Sequence, residues 1–128
     1  MKGYIVNIEK ETLENNNFRK VLYTAKNSQL VLMSIEVGDD IGAETHHLDQ
    51  FIRIEQGNAK AVLDGVESEL PADHAVVILA GTEHNIINTG DEPLKLYSVY
   101  SPPEHKDGTI HATKAEAVEE HFDGVTTE

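Results

Sequence analysis

Side chains able to grip a divalent cation cluster in one short stretch, GDDIGAETHHLDQFIRIEQG from Gly38 to Gly57. It carries a carboxylate, an imidazole and an amide at Glu44, His46 and Gln50. In an extended segment side chains alternate faces, so these even-numbered positions point the same way. A second polar stretch, LAGTEHNIIN from Leu79 to Asn88, adds His84 on a later β-like run. A catalytic metal asks for N and O donors converging from a rigid frame, with coordination positions left open. Two imidazoles and one carboxylate meet that demand. Gln50 is the weak member, because an amide oxygen is a poor transition-metal ligand; it completes the shell or hydrogen-bonds a bound water. The candidate metal residues are therefore Glu44, His46, Gln50 and His84.

The frame that must bring these residues together is read from the apolar pattern. Residues 1–28 form an entry segment, with a short strand at Tyr4–Ile8, one helical turn capped by Thr12, and an edge strand at Phe18–Thr24. From Gln29 the pattern is strongly β: Gln29–Val37, Phe51–Glu55, Ala59–Leu63, Val66–Leu70, Ala75–Leu79 as a buried strand, His84–Asn88 and Leu94–Ser101. Asp64-Gly65 is the strongest hairpin signal in the chain, and it requires a positive φ at Gly65. Short, evenly spaced strands with Gly and Asp between them predict an antiparallel sandwich or barrel. After Pro102-Pro103 a polar loop follows, and the capping box Thr113-Lys-Ala-Glu116 predicts a helix through Phe122, closed by Gly124. Ala115, Val118 and Phe122 would then face the barrel's outer wall.

The two polar stretches match a known pattern in register. Gly38, five residues, Glu44-x-His46, three residues, Gln50, six residues, Gly57 resembles the first motif of the cupin superfamily, which runs Gly, five residues, His-x-His, three or four residues, Glu, six residues, Gly. Leu79-x-Gly81, two residues, His84, three residues, Asn88 resembles the second motif, whose opening is Pro-x-Gly. Glu44 stands where a His is usual and Gln50 where a Glu is usual, so the carboxylate has moved between ligand positions while the count survives. Leu79 in place of Pro, and Asp73 in place of a turn Gly, touch only turns. The resemblance covers roughly Gln29 to Tyr100. It implies an all-β antiparallel jelly-roll barrel with a short C-terminal helix, one domain over residues 1–128, a barrel core of about 29–101, and a C-terminal loop and helix over 102–124.

Composition narrows the partners. With 128 residues and 39% hydrophobic content, the chain has the material for one core. No apolar run approaches the ~20 residues of a membrane span, and MKGYIVNIEKE has no apolar signal-peptide region. A net charge of −13, with ten Lys and Arg, argues against nucleic acid. An anionic substrate would need a local positive centre. Cysteine is absent, which excludes disulfides and thiolate ligands and fits a cytoplasmic protein.

Parity sorts the remaining candidates. His47 has the opposite parity from His46 and faces solvent or a partner subunit; His74 and His121 read as surface residues. His105 and His111 flank Asp107-Gly108, where a loop folding over the barrel mouth brings one near the site or leaves both exposed. Phe51 and Arg53 point outward and suggest a homodimer face, in agreement with the dimerisation common among cupins. Ile52, Ile54 and Ile86 line the interior and give an apolar pocket around a polar floor. Tyr97 or Tyr100 adds a hydroxyl.

The expected function is a cupin with one divalent metal (Zn, Fe, Mn or Ni) acting on a small polar metabolite, a sugar or an organic acid. The resemblance implies a range of isomerases, dioxygenases, decarboxylases, lyases and plain binders, of which a non-redox, isomerase-like step is preferred by analogy with sugar-modifying cupins. The metal serves as Lewis acid, or Glu44 leaves it and acts as a catalytic general base. The competing class is a binding or sensing cupin without metal, its histidines hydrogen-bonded in the interior; the neutral Gln50 favours it.

Overall fold

The computed structural model describes residues 2–118 and 120–128. Strands occupy the middle of the chain: β1 Arg19–Thr24, β2 Gln29–Ile35, β3 Glu44–Thr45, β4 Asp49–Gln56, β5 Asn58–Leu63, β6 Val66–Pro71, β7 Ala75–Ile78, β8 Glu83–Asn88, β9 Leu94–Ser101 and β10 Ile110–His111. They form two antiparallel sheets, a six-stranded one ordered β10-β1-β2-β9-β4-β7 and a four-stranded one ordered β3-β8-β5-β6. Residues of both sheets meet in one core. Met33, Ile35, Ile52, Ile54 and Leu96 from the first pack with Ala59, Ala61, Leu70 and Ile86 from the second. Ile52, Ile54 and Ile86 are each 0% exposed, and burying such a side chain contributes about 1.5–3 kcal/mol.

Alternation in β4 is the clearest link from sequence to packing. Gln50, Ile52 and Ile54 are buried, whereas Phe51 and Arg53 lie on the outer face. There Phe51 packs against Tyr97, ring centroids 6.3 Å apart, and Arg53 is tied to Glu55 and Asp73 at 3.3 and 3.0 Å. The hairpin between β5 and β6 turns as its sequence requires. Asp64 and Gly65 have φ of 47° and 81°, the pair of left-handed residues that matches the twist of a two-residue hairpin. Gly57 is needed for a second reason: at φ 97° a Cβ there would meet the Leu94 side chain at 3.4 Å.

Four expectations are corrected. Tyr4–Ile8 is not a strand. Asn7 accepts from the Lys10 amide and starts helix α1, Ile8–Glu14, inside which Thr12 is buried rather than capping. The predicted C-terminal helix is a single 3-10 turn, Lys114–Glu116. Thr113 does cap it, but the Lys106 amide donates to Glu120 and the Phe122 amide to Glu104. That extended pairing outcompetes a helix too short to be stable alone; Glu119 lies outside the described residues. Strand β7 is buried on one face only: it is the edge of its sheet, with Ile78 in the core and Val77 59% exposed. Finally, β1 is only partly an edge, since β10 pairs with Arg19 and Lys20.

Candidate metal centre and its cavity

Register brings the two motifs together. Antiparallel pairing of β3 with β8 sets Glu44 directly opposite His84. His46 follows two residues later, where the chain bends towards β4. Gln50 arrives from the facing sheet, paired in register with Tyr100 of β9. The ligating atoms of Glu44, His46 and His84 lie within 4.8 Å of one another. Two donors on one ion, each about 2.0–2.2 Å from it, are at most about 4.4 Å apart, so modest side-chain adjustment brings all three to a common centre.

Local bonds preset the donors. His84 Nδ1 donates to the Thr82 carbonyl at 2.9 Å, which fixes the ring and turns Nε2 to the site, as a backbone acceptor does for metal-binding histidines. His46 Nε2 donates to Glu44 Oε2 at 2.7 Å. Burial alone would raise the Glu44 carboxyl, but the bond from His46 and the charges of His46, Arg19 and His84 hold it below the ordinary value. Burial alone would lower the His46 imidazole; the bond to Glu44 and its charge outweigh this, and the ring is held above its ordinary value. Gln50 is 3% exposed and its Nε2 donates to Ser98 Oγ at 3.2 Å. Its amide also favours the protonated His46 ring. Even so, Gln50 Oε1 and His46 Nδ1 are both buried without a full hydrogen bond. A buried amide oxygen without a full hydrogen bond, beside three convergent ligand atoms, makes a donor set that a cation would complete. The residues fit the group.

A cavity of about 360 Å³ opens beside the cluster, lined by Glu44, His46, Arg19, Glu104, His105 and His121 among others. Its wall is polar, not apolar as expected; the isoleucines seal the core and do not reach the opening. Tyr100, not Tyr97, faces inward. It is 2% exposed, its ring is 5.8 Å from that of His46, and its hydroxyl shares a hydrogen bond with His105 Nε2 at 3.3 Å. Burial pushes the Tyr100 phenol up. Burial, then the Arg19 charge, pushes His105 down to about 3, so this pair is neutral near pH 7. His47, His74 and His121 are exposed.

Of the two loop histidines, His105 lines the cavity and His111 stands behind it, facing Arg19. Periodicity does not reveal Arg19 or His105. Arg19 sits on a strand read only as an edge, and His105 is placed by a buried side chain from a distant strand. Gln29 accepts from the His105 amide at 2.9 Å and donates to the His105 carbonyl at 2.7 Å and to Thr24 at 2.9 Å. Its amide thus holds the loop as another strand would. In Gln29→Leu these loop groups lose their partners, at a cost of about 1–3 kcal/mol. Hydrogen exchange at residues 104–106 should then accelerate while that of β4 and β9 holds; equal protection in both proteins would contradict this role.

Known proteins carry the same plan. A cupin-domain family model matches residues 31–100. An uncharacterised Bacillus subtilis protein, YrkC, is 49% identical over 124 residues, spanning 91% of this chain and 67% of that protein. An uncharacterised mimivirus protein, L612, is 42% identical over 120 residues, covering 89% and 74% of the two chains. The crystal structure of BH2720 from Bacillus halodurans superposes with a TM-score of 0.87 at 49% identity, over 89% of this chain and 92% of that one. With its two motifs in register and its sheets so matched, the chain belongs to the cupin family.

Proposed function

We propose that this single-domain cupin, its sheets closed as a jelly-roll barrel, holds one divalent cation between Glu44, His46 and His84 and binds a small polar metabolite in the adjoining cavity. The observation that carries this is the convergence of three donors from two separate motifs within 4.8 Å. When bound, the cation supplies Lewis acidity to a carbonyl or hydroxyl oxygen. The chain's own residues do the rest. His84 enters with its free nitrogen already aimed by the Thr82 carbonyl. Glu44 Oε2 accepts from His46 Nε2 at 2.7 Å and, in place of its role on the cation, is the carboxylate positioned to take and return a proton as general base. Gln50 closes the floor, and the neutral Tyr100–His105 pair offers hydrogen bonds without adding charge. Such a set suits a non-redox, isomerase-like step on a sugar or organic acid.

One observation favours a second reading. Glu44 and His46 satisfy each other directly at 2.7 Å, as the interior of a metal-free binding or sensing cupin requires. Elemental analysis of tag-free protein, as purified and after reloading with Zn, Fe, Mn or Ni, separates the two. About one ion per chain supports the metal reading; none after reloading leaves the binder.

We place the protein in the cytoplasm as a homodimer that uses the outer face of β4. Phe51→Glu then puts a charge into an apolar contact and should halve the mass seen by light scattering. A monomeric wild type, or an unchanged dimer, would reject that face.

A further inference from the structure

Arg19 is a buried cation of the cavity with which no carboxylate among the described residues makes direct contact. It lines the cavity with Glu44 and His46 yet is only 8% exposed. Its guanidinium carbon lies 5.2 Å from the centre of the Phe18 ring, a cation–π contact. Its Nη1 donates to His111 Nδ1 at 3.4 Å, so that ring is neutral and supplies no counter-charge. Its Nε is buried without an acceptor. Among the described residues none forms an ion pair with it. The carboxylates nearby are already engaged: Glu44 with His46 at 2.7 Å and Glu104 with His121 at 3.1 Å. Glu120 is exposed at the cavity's edge.

A buried guanidinium without a contacting counter-ion is costly, and an anion received in the cavity would offset that cost. A planar fork matches a carboxylate, and a cavity of about 360 Å³ limits the ligand to a small molecule. We propose that the cavity takes a small organic acid, with Arg19 receiving its carboxylate and the acid's other polar groups turned towards Glu44, His46 and His84. This deepens the reading above by naming the ligand class. It rests on the cavity being the ligand site, while the Arg19 contact itself does not require the cation.

Malonate and lactate, with their neutral amides malonamide and lactamide, serve as probes because each pair shares size and differs in charge. Calorimetry on the full chain, as purified and after chelation, should show at least one acid binding and its amide roughly tenfold weaker or worse. Arg19→Gln should weaken that acid roughly 10- to 100-fold and leave the amide unmoved, with Arg19→Lys between, since it keeps charge and loses the fork. Circular dichroism checks folding, and if Arg19→Gln does not fold, Arg19→Lys decides by its own loss of affinity. The proposal is overturned if neither acid binds at millimolar concentration, if acid and amide bind alike, or if the folded variants bind the acid like wild type. Metal content, measured in parallel, reads the other claim. Arg19-dependent acid binding in a chain that never holds metal keeps this inference and sinks the cation; stoichiometric metal without Arg19 dependence does the reverse.

Discussion

His84→Ala and His46→Ala proteins are each expected to lose stoichiometric metal. Each substitution removes one of two imidazoles from a set of three strong donors, and a loss of ~100-fold or more in affinity follows. Glu44→Gln should weaken binding markedly, because it deletes the one negative charge that offsets the dication. Gln50→Ala should cost least of the four. Gln50→Glu should tighten binding, since it places a carboxylate where a buried oxygen now has no partner. His47→Ala is the internal control, for His47 is exposed. Elemental analysis after dialysis against a common metal buffer gives the ranking. A reversed order, with His47 dominant and Glu44 silent, would contradict the β3–β8 register.

The second large effect concerns stability. Asn88→Ala should lower the folding free energy by about 2–3 kcal/mol. Asn88 closes the second motif and is 3% exposed. Its Nδ2 donates to the carbonyls of Ile35, Glu36 and Glu92 at 3.1, 3.2 and 2.9 Å, and its Oδ1 accepts from the Gly90 amide at 2.9 Å. One side chain therefore pins the end of β2 to the β8–β9 turn. Alanine removes these bonds from the Ile35 and Glu92 carbonyls and the Gly90 amide, while the Glu36 carbonyl keeps the Asp39 amide at 3.1 Å. Denaturant unfolding measures the loss; a change below about 1 kcal/mol would mean that solvent replaces the bonds.

Much of this was legible in the residues. The alternation of β4 reads directly as Gln50, Ile52 and Ile54 inward, and Asp64-Gly65 as a two-residue hairpin, because these signals are local and nothing competes with them. The convergence of Glu44, His46 and His84 follows from motif spacing once the intervening hairpin fixes register. What stayed hidden depends on tertiary competition. Thr113 and Glu116 form a sound capping box, yet extended pairing with residues 104–106 ends the helix after one turn, helped by Lys114 reaching Asp39 and Asp40 at 2.9 and 2.5 Å. Asn7 and Thr12 are both competent caps, and only packing of Thr12 at 0% exposure decides between them. Arg19 reaches the cavity from a strand whose local pattern carries no trace of it, and the loop position of His105 and His111 points towards the cavity without deciding which of the two lines it.

Anomalous diffraction from crystals of zinc- or manganese-loaded protein tests the metal centre most directly. The expected result is one peak bonded to the side chains of Glu44, His46 and His84, at about 2.0–2.3 Å, with the 2.7 Å contact between Glu44 and His46 opened to admit it. A peak elsewhere, or that contact intact with no peak beside it, would contradict the assignment of these residues as metal ligands.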